Sequence, residues 1–250
     1  MIAQKITPRV QKWLRNSHSA QVLYLFKESC TLVNEAGEVI SLVSPKIGPG
    51  PFSVVLWDDF TIGLDLLQPI ALDGSQQILT IGPLIVDCRD SALWQPRPDW
   101  SRLRSADFDK WPSVDTLPAD IDHYLKLTID GIVIDDASKF FAGVEGLMGR
   151  AGGLTPTGDD VLMGILYGLW VWYPHDFHRQ RSAWTEMILT MAPARTTPFS
   201  ANFICAAVAG EATWHWHDLV EGRPHAVERI LSIGHTSGAD ALTGFMYTGS

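Results

Sequence analysis

Two kinds of hydrophobic spacing meet in this chain near residue 115, and together they restrict its fold class. Before that point, short β-branched and aromatic stretches alternate with turn signals. "QVLYLFKESCTLVNE" and "EVISLVS" flank the turn Glu35-Ala36-Gly37. "FSVVLW" follows the Gly48-Pro49-Gly50-Pro51 loop, and "QQILTIG" and "PLIVDC" follow an Asp73-Gly74 turn. This pattern predicts an antiparallel sheet or small barrel. "WQPRPDWSRLRS" reads as irregular, with Trp94 and Trp100 as packing anchors. From Leu117 the spacing is helical: "PADIDHYLKLTIDG", "DDASKFFAGVEGLMGRAGG", "DDVLMGILYGLWVWY" up to Pro174, "RSAWTEMILTMA" ending before Pro193, "FSANFICAAVAGEA", "HAVERILSIG" and "ADALTGFMYT". The expectation is an α+β chain, with a β-rich region over 1–115 and a helical region over 116–250 that carries the site.

Charge and composition narrow the function classes. A net charge of −9 over 250 residues, with no polybasic run, argues against nucleic acid and against an anionic membrane surface. A local cluster of donors can still hold a small anion against that mean. The longest uncharged apolar stretch, Val161 to Tyr173, is shorter than the roughly 20 residues a bilayer requires. "IAQKITPRVQKWLRNSHSA" has scattered charges and no apolar core, so no signal peptide is expected. Cys30, Cys88 and Cys205 are far apart and free of C-x-x-C spacing, which fits a reducing compartment without structural zinc. A cytoplasmic location is expected.

The densest chemistry lies in "GGLTPTGDDVLMGIL", residues 152–166. Two adjacent aspartates, Asp159 and Asp160, precede the most hydrophobic run. The first N–H groups of a helix lack intrahelical partners and the macrodipole draws anions to them. Glycine allows close backbone approach, and hydroxyls add donors. Thr155, Thr157 and Gly158 are therefore candidates to bind a phosphate or carboxylate. Two carboxylates would repel a bare anion, so Asp159 and Asp160 are candidates for a divalent cation such as Mg²⁺ bridging to it, or for proton transfer. The structural alternative is that Thr157 or Asp159 only caps the helix.

A second string echoes the first. "TGDDVLMG" at 157–164 and "SGADALTG" at 237–244 both fit [S/T]-G-x-D-x-L-x-G, 80 residues apart. This adds Thr236, Ser237 and Gly238 as candidate binding residues and Asp240 as a candidate catalytic one. A third string, "ARTTPFSANFICAAVAGEA", sets Arg195, Thr196, Thr197 and Ser200 before a small-residue helix, which suits oxyanion recognition or simple capping. His215 and His217, two apart, share a face on a strand and diverge on a helix; with Asp218 they could ligate a metal, the alternative being an amphipathic surface. His175 and His178 read as a solvated loop, and His235 lies inside the second turn. No G-x-S-x-G, H-E-x-x-H, Walker or Rossmann fingerprint is present.

"GGLTPTGDDVLMG", "RTTPFSANFICAAVAGE" and "GHTSGADALTG", in this order, resemble the family of the oxamate carbamoyltransferase H subunit. The resemblance covers the C-terminal hundred or so residues. It implies one subunit of a three-component transferase of allantoin catabolism that splits oxalurate with phosphate, giving oxamate and carbamoyl phosphate. Its implied partners are the other subunits and a small anionic substrate: phosphate, oxalurate or carbamoyl phosphate. It assigns no catalytic residues. In that chemistry the turns at Thr155–Gly158 and Thr236–Gly238 would hold phosphate and the oxalurate carboxylate. Arg195, Thr196, Thr197 and Ser200 would complete the oxyanion contacts. Asp160 or Asp240 would accept or relay a proton, or bind Mg²⁺. A non-catalytic assembly or regulatory subunit, or a relative acting on another acyl or carbamoyl substrate, is the alternative.

Overall fold

The computed structural model describes residues 1–57, 69–73, 77–103, 111, 117–173 and 182–249. The point near 115 where the spacing changes, Gly74, Pro174, His175 and His178 lie outside them. The chain forms two compact units. One comprises Met1–Pro96 with Ala212–Trp214, the other Arg97–Glu211 with His215–Ser250.

The first unit is a curled sheet. Its strands are β1 (Ala3–Ile6), β2 (Ala20–Phe26), β3 (Ser29–Asn34), β4 (Val39–Val43), β5 (Ser53–Leu56), β6 (Pro69–Asp73), β7 (Ile78–Ile81), β8 (Leu84–Asp87) and β9 (Ala92–Leu93). They lie in the order β8-β7-β6-β2-β3-β4-β5-β1-β9. Most pairs are antiparallel, but β4–β5 and β1–β9 are parallel, so the sheet is mixed. It is a half-barrel whose far strands approach each other. Ile2 forms a parallel bridge with Asp87, and the Asp87 N–H donates to the Met1 carbonyl at 2.9 Å.

Period-two alternation builds the core. Cys30 and Leu32 on β3, Ile40 and Leu42 on β4, and Val54 and Leu56 on β5 share one buried cluster. Val10, Trp13 and Leu14 of helix α1 (Pro8–Asn16) join it. The alternate positions mix buried valines, Val39, Val43 and Val55, with polar residues: Thr31 and Ser41 are register partners whose hydroxyls meet at 3.0 Å. At the β3–β4 turn, Asn34 Oδ1 accepts from the Ala36 and Glu38 N–H groups, and Gly37 takes φ +76°. That is the turn chemistry an Asn followed by Gly supplies.

The second unit is helical. After the 3₁₀ turn Trp100–Leu103 come α2 (Ala119–Val133), α3 (Ala137–Leu147), α4 (Thr157–Trp172), α5 (Ser182–Arg195), α6 (Pro198–Val208), α7 (Trp214–Val220), α8 (Ala226–Leu231) and α9 (Ser237–Thr248). Trp214, the first residue of α7, counts with the first unit. From Gly158 to Val171, α4 is buried on every side, as its unbroken apolar run demands. α5 continues through Pro193 to Arg195, three residues past the expected stop at Ala192. The proline sits in the last turn, where few N–H bonds remain to be lost, and the Thr196 N–H still reaches the Ala192 carbonyl at 3.2 Å.

Candidate functional site

The helices α4 and α9 are the frame of the site. Their starts adjoin, because Thr155 Oγ1 and Ser237 Oγ lie 2.9 Å apart across 82 residues of sequence. Further along, a Cβ placed on Gly164 would strike the carbonyl oxygen of Ala241, and one on Gly244 would strike that of Val161. Near the ends, Gly168 abuts the Thr248 side chain. The helices therefore run in the same direction in near-backbone contact, and G-x-x-x-G-type spacing is what permits the approach.

The contacts are reciprocal under the 80-residue offset. Gly164 meets Ala241 and Phe245, while Gly244 meets Val161 and Ile165. The motif glycines before them repeat the pattern. Gly158 packs on the Leu147 carbonyl and donates its N–H to Arg150 O at 3.1 Å. Gly238 packs on the Ile230 carbonyl and donates to Ile233 O at 3.1 Å. α3–α4 and α8–α9 are thus two versions of one helical corner, related by a quasi-twofold axis between α4 and α9. Leu162 and Leu242, the shared leucines, are both fully buried.

Two parallel helices place two positive dipole ends side by side, each worth about half an elementary charge. Asp160 and Asp240, the equivalent aspartates of the two first turns, lie there, 1% and 8% exposed. Neither carboxylate oxygen of Asp160 has a hydrogen-bond partner among the described residues. Burial pushes its carboxyl up to about 8; the charges of Asp240 and Asp159 add to the rise, while the nearby hydroxyls of Ser237 and Thr155 oppose it. An unbonded buried carboxylate is costly, which is why the proton is retained.

Asp159 is a contrast one residue away. It is fully buried. Its Oδ1 accepts from the Gly149 N–H at 2.7 Å, and its Oδ2 from Ser200 Oγ at 2.7 Å and from the Thr196 hydroxyl. Burial raises its carboxyl, and these bonds from Thr196, Gly149 and Ser200 counter the rise. Asp159 ties the α3–α4 turn and the start of α6 to α4.

The third predicted string converges on the same place. Thr197 caps α6 by accepting from the Ser200 N–H at 3.1 Å, and its hydroxyl donates to Leu154 O at 2.7 Å. Arg195 is half exposed and ion-pairs with Glu145. Thr157 is half-buried, and Gly152, Gly153, His235 and Thr236 are exposed. α4 and α9 carry no side-chain cap: their N-cap residues, Pro156 and Thr236, make no such bond. The α3–α4 turn, the α5–α6 junction and the start of α9 are therefore joined by named bonds within one unit.

His215 lies on helix α7, where burial lowers its ring to about 4. Among the described residues no group of three or more His, Cys, Asp or Glu side chains is placed to hold a metal. No helix among them is long and apolar enough to cross a membrane.

The segment that supplies this geometry has a counterpart among known families. Residues 147–249 match the family model of oxamate carbamoyltransferase subunit AllH. The AllH match opens at the last residue of α3 and runs past α9, so it takes in both helical corners' glycines, Asp159, Asp160, Asp240 and the start of α6. The AllH description names a subunit, which implies a multi-subunit enzyme. No solved structure matches the chain.

The sequence signal that pointed to the site was the repeated motif. What it did not distinguish was the fates of the two neighbouring aspartates. Glu145, which holds Arg195, and Gly149, which bonds Asp159, carried no signal of their own.

Proposed function

We propose that this chain is the component of a carbamoyltransferase that holds a small anionic substrate at the shared start of α4 and α9. The observation that carries this reading is the 2.9 Å approach of Thr155 and Ser237, which joins two helix N-termini inside the region matched by AllH. Such a junction presents hydroxyl donors and two dipole ends to a phosphate or carboxylate.

The donors divide by what they already hold. The Gly158 and Gly238 N–H groups are committed to carbonyls, so these glycines serve by letting the corners close. Thr196 and Ser200 act through Asp159, and Thr197 through Leu154. The anion would meet Thr155, Thr157, Thr236 and Ser237 directly. Arg195 would supply its guanidinium by exchanging Glu145 for the substrate carboxylate.

The reaction is phosphorolysis of oxalurate. A phosphate oxygen bonds to the ureido carbonyl carbon, and the bond from that carbon to the oxamate nitrogen breaks. That nitrogen takes the proton the phosphate gives up, leaving oxamate and carbamoyl phosphate. Fixed donors lower the barrier by stabilising charge on the carbonyl oxygen and by holding the phosphate in line.

Calorimetric titration of the purified chain, alone and with its partner subunits, tests this with phosphate, oxalurate and carbamoyl phosphate. At least one should bind saturably, and a Thr155→Val/Ser237→Ala variant should weaken that binding about tenfold, the worth of one or two hydrogen bonds. If none of the three binds in any combination, the substrate reading is wrong and the chain is an assembly subunit.

A further inference from the structure

Beside the quasi-twofold axis between α4 and α9 the hydroxyls of Thr155 and Ser237 meet at 2.9 Å next to the Asp160 carboxyl, which also feels the charge of Asp240 from the equivalent turn. Three features set this group apart from an ordinary pair of helix-start aspartates. Asp160 is 1% exposed with both oxygens unbonded among the described residues, although Asp159 beside it is fully bonded. The charges that act on Asp160 most strongly, those of Asp240 and Asp159, are both negative. Asp159 cannot serve a ligand there, because its oxygens already accept from Gly149, Ser200 and Thr196.

Charge balance then decides what the group suits. A bound cation would displace the proton of Asp160, so the two carboxylates facing it carry −2, of which two helix ends offset about one unit. The remainder, in a buried place, calls for a positive ion. The donors of Asp160, Asp240, Thr155 and Ser237 are all hard oxygens. Magnesium-class ions bind through one or two carboxylates and keep other positions for water or a phosphate oxygen. We propose that Asp160 and Asp240, completed by the hydroxyls of Thr155 and Ser237, form a site for one divalent cation of this class. The pair is thus Asp160 with Asp240 across the axis, not Asp160 with its chain neighbour. A +2 ion leaves the junction with a surplus of about one positive charge, which is what an anion bound above it requires. The cation site stands whether or not that anion is oxalurate.

Binding of Mn²⁺ alone to the full-length chain, read by electron paramagnetic resonance, and of Mg²⁺ alone, read by calorimetry, tests the assignment. The expected result is one saturable site per chain. Asp160→Asn and Asp240→Asn should each weaken it by at least about tenfold, while Asp122→Asn, on the exposed Asp122–Lys126 pair, should leave it unchanged. Asp160→Asn keeps the size of the side chain and an acceptor oxygen facing Ser237 and Thr155, so it keeps the test valid even if Asp240→Asn does not fold. No saturable site up to millimolar Mn²⁺, or a site undiminished in Asp160→Asn, overturns the proposal.

Discussion

Asp159 and Asp160 are neighbours in the chain, share burial, and play opposite parts. Asp159 organises three segments by accepting bonds from each. Replacing it by alanine leaves the Gly149 N–H and the Thr196 and Ser200 hydroxyls without their acceptor. Asp159→Ala should therefore lower stability by roughly 2–4 kcal/mol in a denaturant titration, since each buried unsatisfied donor costs about 1–3 kcal/mol before relaxation. Asp160 makes no hydrogen bond of normal length. Its carboxyl is raised to about 8 in the folded chain, against an ordinary value near 4 when unfolded. The proton it holds stabilises the native state fully below about pH 4, and that contribution is lost as pH rises toward 8. Asp160→Asn, neutral at every pH, should match the wild type near pH 3. At pH 8 with chelator present, it should exceed the wild type by a few kcal/mol. Equal pH dependence of the two denaturation midpoints would show that Asp160 is not held in a low-dielectric place.

The helices meet where side chains are missing. Gly164 and Gly244 let α4 and α9 touch backbone to backbone, and the contact of each is the image of the other. A methyl group at Gly164 would fall on the Ala241 carbonyl, with no flexible side chain to give way. Gly164→Ala should cost about 2–3 kcal/mol or more, despite alanine's better helix propensity. Gly152→Ala is the control: a Cβ there meets nothing within 4 Å, and its stability should stay within about 0.5 kcal/mol of wild type. Thermal unfolding of the two variants side by side checks both. The short helix α8 precedes α9 as α3 precedes α4, so the corner motif survives a difference in helix length. Its glycine at the second helical position is what the first helix packs on, which explains why that residue recurs in the two strings.

Across the whole molecule, the chain enters its second unit at Arg97, returns to the first for Ala212–Trp214, and leaves again. The returning segment is held by the bond from the Ala212 N–H to Pro96 O at 2.8 Å, and from the Trp214 N–H to Pro49 O at 3.0 Å. The Trp214 indole donates to Ile47 O at 2.7 Å and covers Gly48, whose φ of +73° and missing side chain make room for it. Trp214→Ala should raise amide hydrogen exchange at residues 47–50 about tenfold while leaving the α4–α9 core protected; unchanged exchange there would show that the indole does not hold the loop. Strand and helix regions, the Gly37 turn and the candidate site strings were legible in the sequence because they depend on local periodicity and on residues with special backbone freedom. The extension of α5 past Pro193 was not, since the position of a proline within the last turn depends on bonds made beyond it. The parallel pairings β4–β5 and β1–β9 were not legible either, because partner choice in a sheet is long-range. The repeated motif announced two similar helix starts, yet only folding put them side by side. Sequence alone determined which residues could donate, bend or carry charge, properties each residue owns. Which aspartate is bonded and which is left bare depends on atoms from segments 10 to 80 positions away, and only the tertiary structure could decide it.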